Sequence, residues 1–215
     1  MGALKDAIDA YNTVKQEKMP AEVLATMAQC TEDLRTANIE GRAHKTGDTM
    51  PDFELPDQHG TLRRLSDYLA TAPVVLNIYR GGWCPYCNLE MKALQDALPQ
   101  IQAHGATLIA MSPELPDKAM STAERNQIAF DILSDRGNRV SEQLGLVFEL
   151  PQALRPIYEK FDLDIPAYNG DHSFKLPVPA TYIIGRDRRI AFDFVNSDYT
   201  QRLEPAEILA RLATL

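Results

Sequence analysis

The sequence predicts an α/β fold, with a central mixed β-sheet that has helices on both faces and an N-terminal helical extension. After residue 46, short apolar runs of strand length alternate with segments of helical periodicity. Near the C-terminus, two strand-like runs follow one another directly before a closing helix. The first part of the chain has helical periodicity only. We therefore expect residues 1–45 to form the extension and residues 46–215 to form one sheet domain.

The extension is expected to contain two helices within residues 3–40. Leu4 and Ile8 begin an apolar stripe with helical spacing, and Pro20 restarts the pattern. A polar linker at residues 38–45 follows, where Gly41 is expected to act as a helix stop. Amphipathic helices need a surface that covers their apolar stripes, either on the domain or on a second copy of the chain. We therefore expect a weakly held homodimer.

The domain begins with an extended segment and a turn, and the remaining elements follow from local patterns. Apolar and β-branched runs predict strands at residues 61–63, 73–79, 106–111, 129–133, 180–184 and 189–195. Apolar stripes predict helices at residues 89–104, 117–126, 140–144, 151–161 and 205–212. Ser66 is expected to cap a short helical turn through Tyr68, and residues 162–177 are expected to form a long loop. Residues 73–79 are apolar on both faces except at Asn77, which is typical of a central strand in a covered sheet.

Composition excludes several classes of function. The chain has 215 residues, a net charge of −8 and 24% charged residues, with no Lys/Arg cluster that could bind nucleic acid. No apolar run approaches the roughly 20 residues that span a bilayer, and residues 1–20 lack the core of a signal peptide. Three cysteines are too few for a disulfide framework. We expect a cytoplasmic protein that binds neither nucleic acid nor membrane.

The most informative motif is Trp83-Cys84-Pro85-Tyr86-Cys87, directly after the strand at residues 73–79. This spacing places both thiols in the first turn of a helix, where backbone N–H groups and the helix dipole stabilise a thiolate. The motif also follows the carboxyl end of a strand, where open α/β sheets place their sites. A structural zinc site would need about four ligands, and the sequence has no second Cys-x-x-Cys. We therefore expect redox chemistry without a metal or cofactor.

Several ordered motifs resemble those of one family. They are residues 47–57 (GDTMPDFELPD), Gly60, residues 65–67 (LSD), residues 132–135 (ILSD) and residues 181–184 (TYII). Together they resemble the peroxiredoxins, the alkyl hydroperoxide reductase / thiol-specific antioxidant family. The resemblance covers nearly four-fifths of the chain and implies a thioredoxin-like fold. It also implies reduction of hydrogen peroxide or organic hydroperoxides, with a thioredoxin-like or glutathione system as reductant.

The active-site motif matches this family in one register and the thioredoxins in another. Counted back from Cys87, the family's Pro-x-x-x-Thr-x-x-Cys places Cys84 at the Thr and Arg80 at the Pro, and it implies that Cys87 attacks the peroxide. Counted forward, the motif resembles Trp-Cys-x-x-Cys, in which the first cysteine attacks. Pro179 stands where peroxiredoxins have an arginine, and thioredoxins have a cis-proline facing the disulfide. We therefore expect a cis Val178–Pro179 bond next to Cys84.

These registers predict roles for the site residues. Cys87 is expected to become a sulfenic acid, which then condenses with Cys84 to form a disulfide. Arg80 is expected to lower a thiolate pKa and to hold a peroxide oxygen. Trp83 is expected to anchor the strand end or to shield the disulfide and present an apolar face to a partner, and Pro85 belongs to the same motif.

Two other functions remain open. The chain could be a thiol–disulfide oxidoreductase in which Cys84 attacks a substrate disulfide. It could also be a redox sensor or binding module that acts through the N-terminal helices. Cys30 is expected to be a buried apolar residue of a helix stripe, with a resolving thiol as the alternative.

Overall fold

The computed structural model describes residues 2–215, and its N-terminal part is helical. Its helices are α1 Ala3–Lys18, α2 Ala21–Thr36, α3 Ile39–Arg42, α4 Leu65–Thr71, α5 Pro85–Ala103, α6 Pro116–Asn126, α7 Arg139–Gln143, α8 Arg155–Glu159, α9 Ile165–Asn169 and α10 Pro205–Leu212. The strands are β1 Glu54–Pro56, β2 Leu62–Arg64, β3 Val74–Ile78, β4 Thr107–Ser112, β5 Asp131–Ser134, β6 Val147–Glu149, β7 Lys175–Pro177, β8 Ala180–Ile184 and β9 Ile190–Val195. None of the helices in residues 2–215 is long and apolar enough to cross a membrane.

A five-stranded mixed sheet forms the centre of the domain, in the order β5-β4-β3-β8-β9. β3 pairs in parallel with β4 and antiparallel with β8, so it lies in the middle of the sheet. Both faces of β3 are covered, because Val75 contacts one hydrophobic cluster and Val74 and Leu76 contact another. Asn77, the one polar residue of the strand, donates from Nδ2 to Thr181 Oγ1 at 3.4 Å on the neighbouring strand. The mixed α/β architecture expected from the sequence is confirmed.

The N-terminal helices pack on the domain. Leu4 and Ile8 of α1 and Cys30 of α2 are buried in the hydrophobic cluster that also contains residues of α5 and α10. The predicted break at Pro20 separates α1 from α2, because proline is well tolerated at the start of a helix and poorly tolerated inside one. The linker predicted at residues 38–45 contains α3 instead, in which Ile39 is fully buried.

Several local predictions were wrong. Helix α5 begins at Pro85 rather than residue 89, although the expected position of both thiols in the first turn of a helix is confirmed, with Cys84 at the N-cap. Ser66 does not cap α4, since Arg64 occupies the N-cap and the Ser66 N–H donates to Asp52 Oδ1 at 3.0 Å. Residues 162–177 are not one long loop. They contain α9 and β7, and β7 pairs antiparallel with β6.

Candidate active site

The connection from β3 to α5 brings the backbone very close to an aromatic ring. Gly81 has a φ of +151°, and a Cβ at this position would lie 2.2 Å from Trp83 Nε1. Only glycine fits such an approach without displacing the indole ring. The carbonyl oxygen of Gly82 accepts hydrogen bonds from Asn88 Nδ2 at 2.7 Å and from Arg125 Nη1 at 3.1 Å. These contacts hold the turn that delivers Cys84 to the start of the helix.

The two thiols of the motif lie in different environments. Cys84 is 2% exposed and lines a cavity, whereas Cys87 is fully buried and is not part of the cavity wall. The pKa of Cys84 is lowered to about 5, chiefly by the neighbouring Cys87 thiol, with help from the charges of Arg80 and Arg202 against the effect of burial. The pKa of Cys87 is raised well above its usual value by burial and by the neighbouring Cys84 thiolate. These opposite pKa shifts favour the negative charge of the pair on Cys84.

Arg202 contacts Cys87 from the segment between β9 and α10. Its Nη2 donates to Cys87 Sγ at 3.6 Å, and its Nε lies 2.7 Å from Glu90 Oε2. The Arg202 and Glu90 side chains are only 1% and 3% exposed, and the pair is held by charge, since these two atoms lack the angle of a hydrogen bond. Burial raises the pKa of Glu90 to about 7, although Arg202 opposes that shift.

Sequence reasoning did not identify Arg202 or Glu90. The sequence contained a signal for Glu90, because this charged residue, three positions after Cys87, lies on a face of the helix that is otherwise apolar. Arg202 carried none, since 115 residues separate it from Cys87.

Arg80 lies in the same region, at the end of β3. It is 2% exposed, and its guanidinium carbon is 4.9 Å from the centre of the Trp83 ring and 4.4 Å from that of Tyr199. Its Nη2 donates to Tyr158 Oη at 2.5 Å, whereas its Nε has no hydrogen-bond partner. The indole Nε1 of Trp83 is also buried without a partner. Buried donors of this kind are rare in proteins, and each needs an explanation.

The expected cis bond at Pro179 is not found. No peptide bond among the described residues is cis, so the Val178–Pro179 bond is trans. The backbone here is held in extended form, because the N–H of Val178 donates to Leu146 O at 2.8 Å beside the β6–β7 pair. Pro179 lines a small cavity together with Arg80 and Cys30, and not the cavity of Cys84. The comparison with thioredoxin was therefore wrong at this position.

The cavity in front of Cys84 has a volume of about 310 Å³. Arg80, Trp83, Pro85 and Tyr158 of the domain line it. The N-terminal extension completes the wall with Tyr11, Lys15, Met19 and Met27, which sequence reasoning did not connect with the site. The ring of Tyr86 packs edge-to-face against Tyr11 at 5.1 Å and against Tyr199 at 5.5 Å. The extension is thus part of the candidate active site.

Cys30 is a buried residue of α2, 9% exposed. Burial raises its pKa, and the charge of Asp33 raises it further, so the thiol is protonated at neutral pH. Its alternative role as a resolving thiol stays a prediction. Among residues 2–215, no group of three or more His, Cys, Asp or Glu side chains is arranged to hold a metal ion.

Comparisons with known proteins place these observations in a family. The sequence model of the AhpC/TSA family matches residues 46–192. Rv1608c of Mycobacterium tuberculosis is 30% identical over 171 residues, covering 80% of this chain and 97% of the relative. Peroxiredoxin Bcp of Escherichia coli K12 is 31% identical over 102 residues, 47% of this chain and 65% of the relative. The crystal structure of peroxidoxin BcpB from M. tuberculosis is similar, with a TM-score of 0.63 and 28% identity over 80% of this chain and 97% of that one.

Proposed function

Because this chain belongs to the AhpC/TSA family of peroxiredoxins, we propose that Cys84 and Cys87 carry its catalytic cycle. The protein is a thiol-dependent peroxidase, an oxidoreductase that reduces peroxides at the expense of a thioredoxin-type reductant. What we propose for this chain is which cysteine attacks the peroxide and which cysteine then forms the disulfide with it. The observation that carries it is the pairing of one thiolate at the cavity wall with one buried thiol a helical turn further on.

We propose that Cys84 attacks first, the reverse of the order that the peroxiredoxin register implies. The thiolate is the nucleophile, and the lowered pKa of Cys84 favours its ionised form at neutral pH. Its position in the cavity wall lets a peroxide approach it, whereas Cys87 has no such approach. The Cys84 sulfur attacks one peroxide oxygen, the O–O bond breaks, and a sulfenic acid forms on Cys84.

Cys87 then resolves the sulfenic acid. Its sulfur attacks the Cys84 sulfur, the hydroxyl group leaves as water with the thiol proton, and a Cys84–Cys87 disulfide forms. The two residues share the first turn of α5, so the reacting groups are held close together and the step is effectively unimolecular. The contact from Arg202 to Cys87 stabilises negative charge as the second thiol ionises. A thioredoxin-type reductant returns both cysteines to thiols.

Two unpaired donors lie beside the cavity that contains Cys84. They are Arg80 Nε and Trp83 Nε1, whose residues line the cavity although the two atoms are themselves covered, so a peroxide would reach them after a local shift of the cavity wall. Peroxide oxygens accept hydrogen bonds, so a bound peroxide would satisfy donors that are otherwise unpaired. Fixed donors of this kind stabilise the charge that develops on the departing oxygen.

Thiol–disulfide oxidoreductase activity is the second candidate, since Cys84 as the attacking thiol suits it equally. One experiment separates the two. Reduced protein is mixed with one equivalent of hydrogen peroxide, and the disulfide is mapped by mass spectrometry while peroxide consumption is followed with thioredoxin, its reductase and NADPH. The peroxidase requires rapid formation of the Cys84–Cys87 disulfide and sustained turnover. Failure of both, with trapping of protein mixed disulfides by the Cys87→Ser variant, would favour the second candidate.

Three further proposals concern the organisation of the protein. We place it in the cytoplasm, where thioredoxin-type reductants keep dithiols reduced. The division between residues 1–45 and 46–215 stays a proposal, supported by the family match that starts at residue 46. A weak homodimer also stays a proposal, supported by the exposure of Val14, which is 44% exposed on α1. Light scattering at micromolar concentration tests it, and a monomer there would contradict it.

A further inference from the structure

Lys15 extends the active site beyond the region that the family shares. It lies on α1, outside the matched residues 46–192, yet it lines the same cavity as Cys84. Its Nζ donates to Tyr86 Oη at 3.4 Å and to Tyr199 Oη at 3.3 Å, and it also lies 5.4 Å and 5.7 Å from the centres of these two rings. The ammonium is therefore held in place by two rings of the domain.

Among the described residues, Lys15 has no carboxylate partner in an ion pair, and its charged neighbours include the active-site thiolate. None of the ion pairs within residues 2–215 includes it, although a buried or half-buried ammonium usually has a carboxylate partner. The charged groups that influence it are the Cys84 thiolate, Arg80 and Asp198. The side chain of Arg80 is buried beside the same cavity, so the thiolate already has a permanent cation near it. Because Arg80 can already stabilise the thiolate, the ammonium of Lys15 is available for a different role.

We propose that Lys15 is the general acid of the peroxidase reaction and protonates the oxygen that leaves when Cys84 attacks. The proposal rests on the function proposed above. The step is balanced as Cys84–S⁻ + ROOH + Lys15–NH₃⁺ → Cys84–SOH + ROH + Lys15–NH₂. The sulfur loses two electrons, the O–O bond accepts them, and the alkoxide or hydroxide takes its proton from the ammonium. Solvent then returns a proton to the amine.

The other donors of the cavity suit this task less well. The guanidinium of Arg80 does not release its proton in proteins, so it can hold an oxygen but not protonate it. Tyr86 and Tyr199 are weaker acids than usual, because burial raises the pKa of both. Burial instead lowers the pKa of Lys15, against the opposing charge of Cys84, and this makes the ammonium a better proton donor.

The test uses two peroxides whose leaving groups differ in basicity. Hydrogen peroxide releases hydroxide, the conjugate base of water with a pKa of about 15.7, which needs a proton. Peracetic acid releases acetate, whose conjugate acid has a pKa near that of Glu, about 4.3, and which leaves without one. The full-length reduced protein is mixed with each peroxide, and its oxidation is followed by the fluorescence of Trp83, the single tryptophan of the chain. The dependence of the observed rate on peroxide concentration gives the second-order rate constant.

Lys15→Met should lower the rate constant with hydrogen peroxide by about 10² or more, the usual contribution of a general acid. Its rate constant with peracetic acid should fall far less, and this second reaction also shows that the variant is folded and its thiolate intact. Lys15→Arg should resemble Lys15→Met, because arginine keeps the charge but releases no proton. Lys18→Met removes an exposed lysine of the same helix and should keep the wild-type ratio of the two rate constants.

Other outcomes overturn the proposal in recognisable ways. If Lys15→Met slows both peroxides equally and Lys15→Arg restores both, the lysine supplies charge to the thiolate and no proton. If Lys15→Met changes neither rate, the residue has no part in the reaction. If the wild-type protein itself shows no rapid reaction with either peroxide, the proposed function fails, irrespective of Lys15.

Discussion

The buried pair of Arg202 and Glu90 gives a sharp prediction about stability, because the chain contains a matched exposed pair. Arg202 Nε and Glu90 Oε2 are 2.7 Å apart with side chains 1% and 3% exposed. Arg211 Nη2 and Glu207 Oε1 are also 2.7 Å apart, with side chains 51% and 43% exposed. Residue types and distance are the same, and the largest difference between the two pairs is burial, although the exposed pair also lies at i,i+4 on one helix and is hydrogen-bonded.

At pH 9, Arg202→Met should destabilise the reduced protein by about 3–5 kcal/mol, because it leaves the Glu90 carboxylate buried without its cation. That is a large part of the roughly 5–15 kcal/mol that stabilises an ordinary domain. The pKa of Glu90 is already about 7 with Arg202 present, and removal of the cation should raise it further. A protonated Glu90 costs less to bury, so the loss should be smaller at pH 6 than at pH 9.

Denaturant unfolding of the single and double variants measures the coupling between the partners. Arg202→Met combined with Glu90→Met removes both charges, and it should recover much of the stability that Arg202→Met loses. The same cycle on Glu207 and Arg211 should give a coupling of at most about 0.5 kcal/mol. Equal coupling in the two cycles, or a loss of under about 1 kcal/mol for Arg202→Met, would refute the reasoning from burial.

Three further predictions concern individual residues. Gly145→Ala should destabilise the protein more than Gly60→Ala, although both glycines have positive φ. A Cβ at Gly145 would lie 2.3 Å from the carbonyl oxygen of Arg42, whereas a Cβ at Gly60 would have no atom within 4 Å. Thermal unfolding of the two variants tests this, and equal losses of stability would contradict the steric account. Burial raises the pKa of Glu114 from 4.5 to about 7, so the folded protein favours the protonated carboxyl group. The free energy of unfolding of the wild type, relative to Glu114→Gln, should therefore fall by up to about 3 kcal/mol as the pH rises from 4.5 through 7. An unchanged difference between the two proteins over that range would contradict this prediction. Iodoacetamide should alkylate Cys84 with a midpoint near pH 5, by mass spectrometry, and a midpoint near the usual thiol pKa would contradict the lowered value.

Strong local patterns made much of the fold predictable. The apolar run at residues 73–79 became β3, because a segment apolar on both faces can be buried only in the middle of a covered sheet. The bounds of α10 were predicted correctly, since Pro205 suits the first helical position and an apolar stripe follows it. The strands β6 and β7 were missed, because each has three residues and is defined mainly by its pairing with the other.

The site was predictable only where its residues are near in sequence. The motif from Trp83 to Cys87 marks the start of α5, where spacing alone brings the thiols together. Lys15 and Arg202 reach the site through the packing of α1 and of the segment before α10, which no local pattern encodes. The cis bond expected at Pro179 came from the resemblance to thioredoxins, whereas the backbone there follows the pairing of β6 with β7, which the sequence did not reveal.

The central claim, that Cys84 is the first nucleophile, is tested most directly by single-turnover oxidation of two variants. Cys87→Ser and Cys84→Ser are each mixed with one equivalent of hydrogen peroxide, and sulfenic acid is quantified over time with a specific trap and mass spectrometry. The account predicts rapid sulfenate at Cys84 in Cys87→Ser, and in Cys84→Ser a reaction no faster than that of a free thiol. Rapid sulfenate at Cys87 in Cys84→Ser, with a slow reaction in Cys87→Ser, would contradict it.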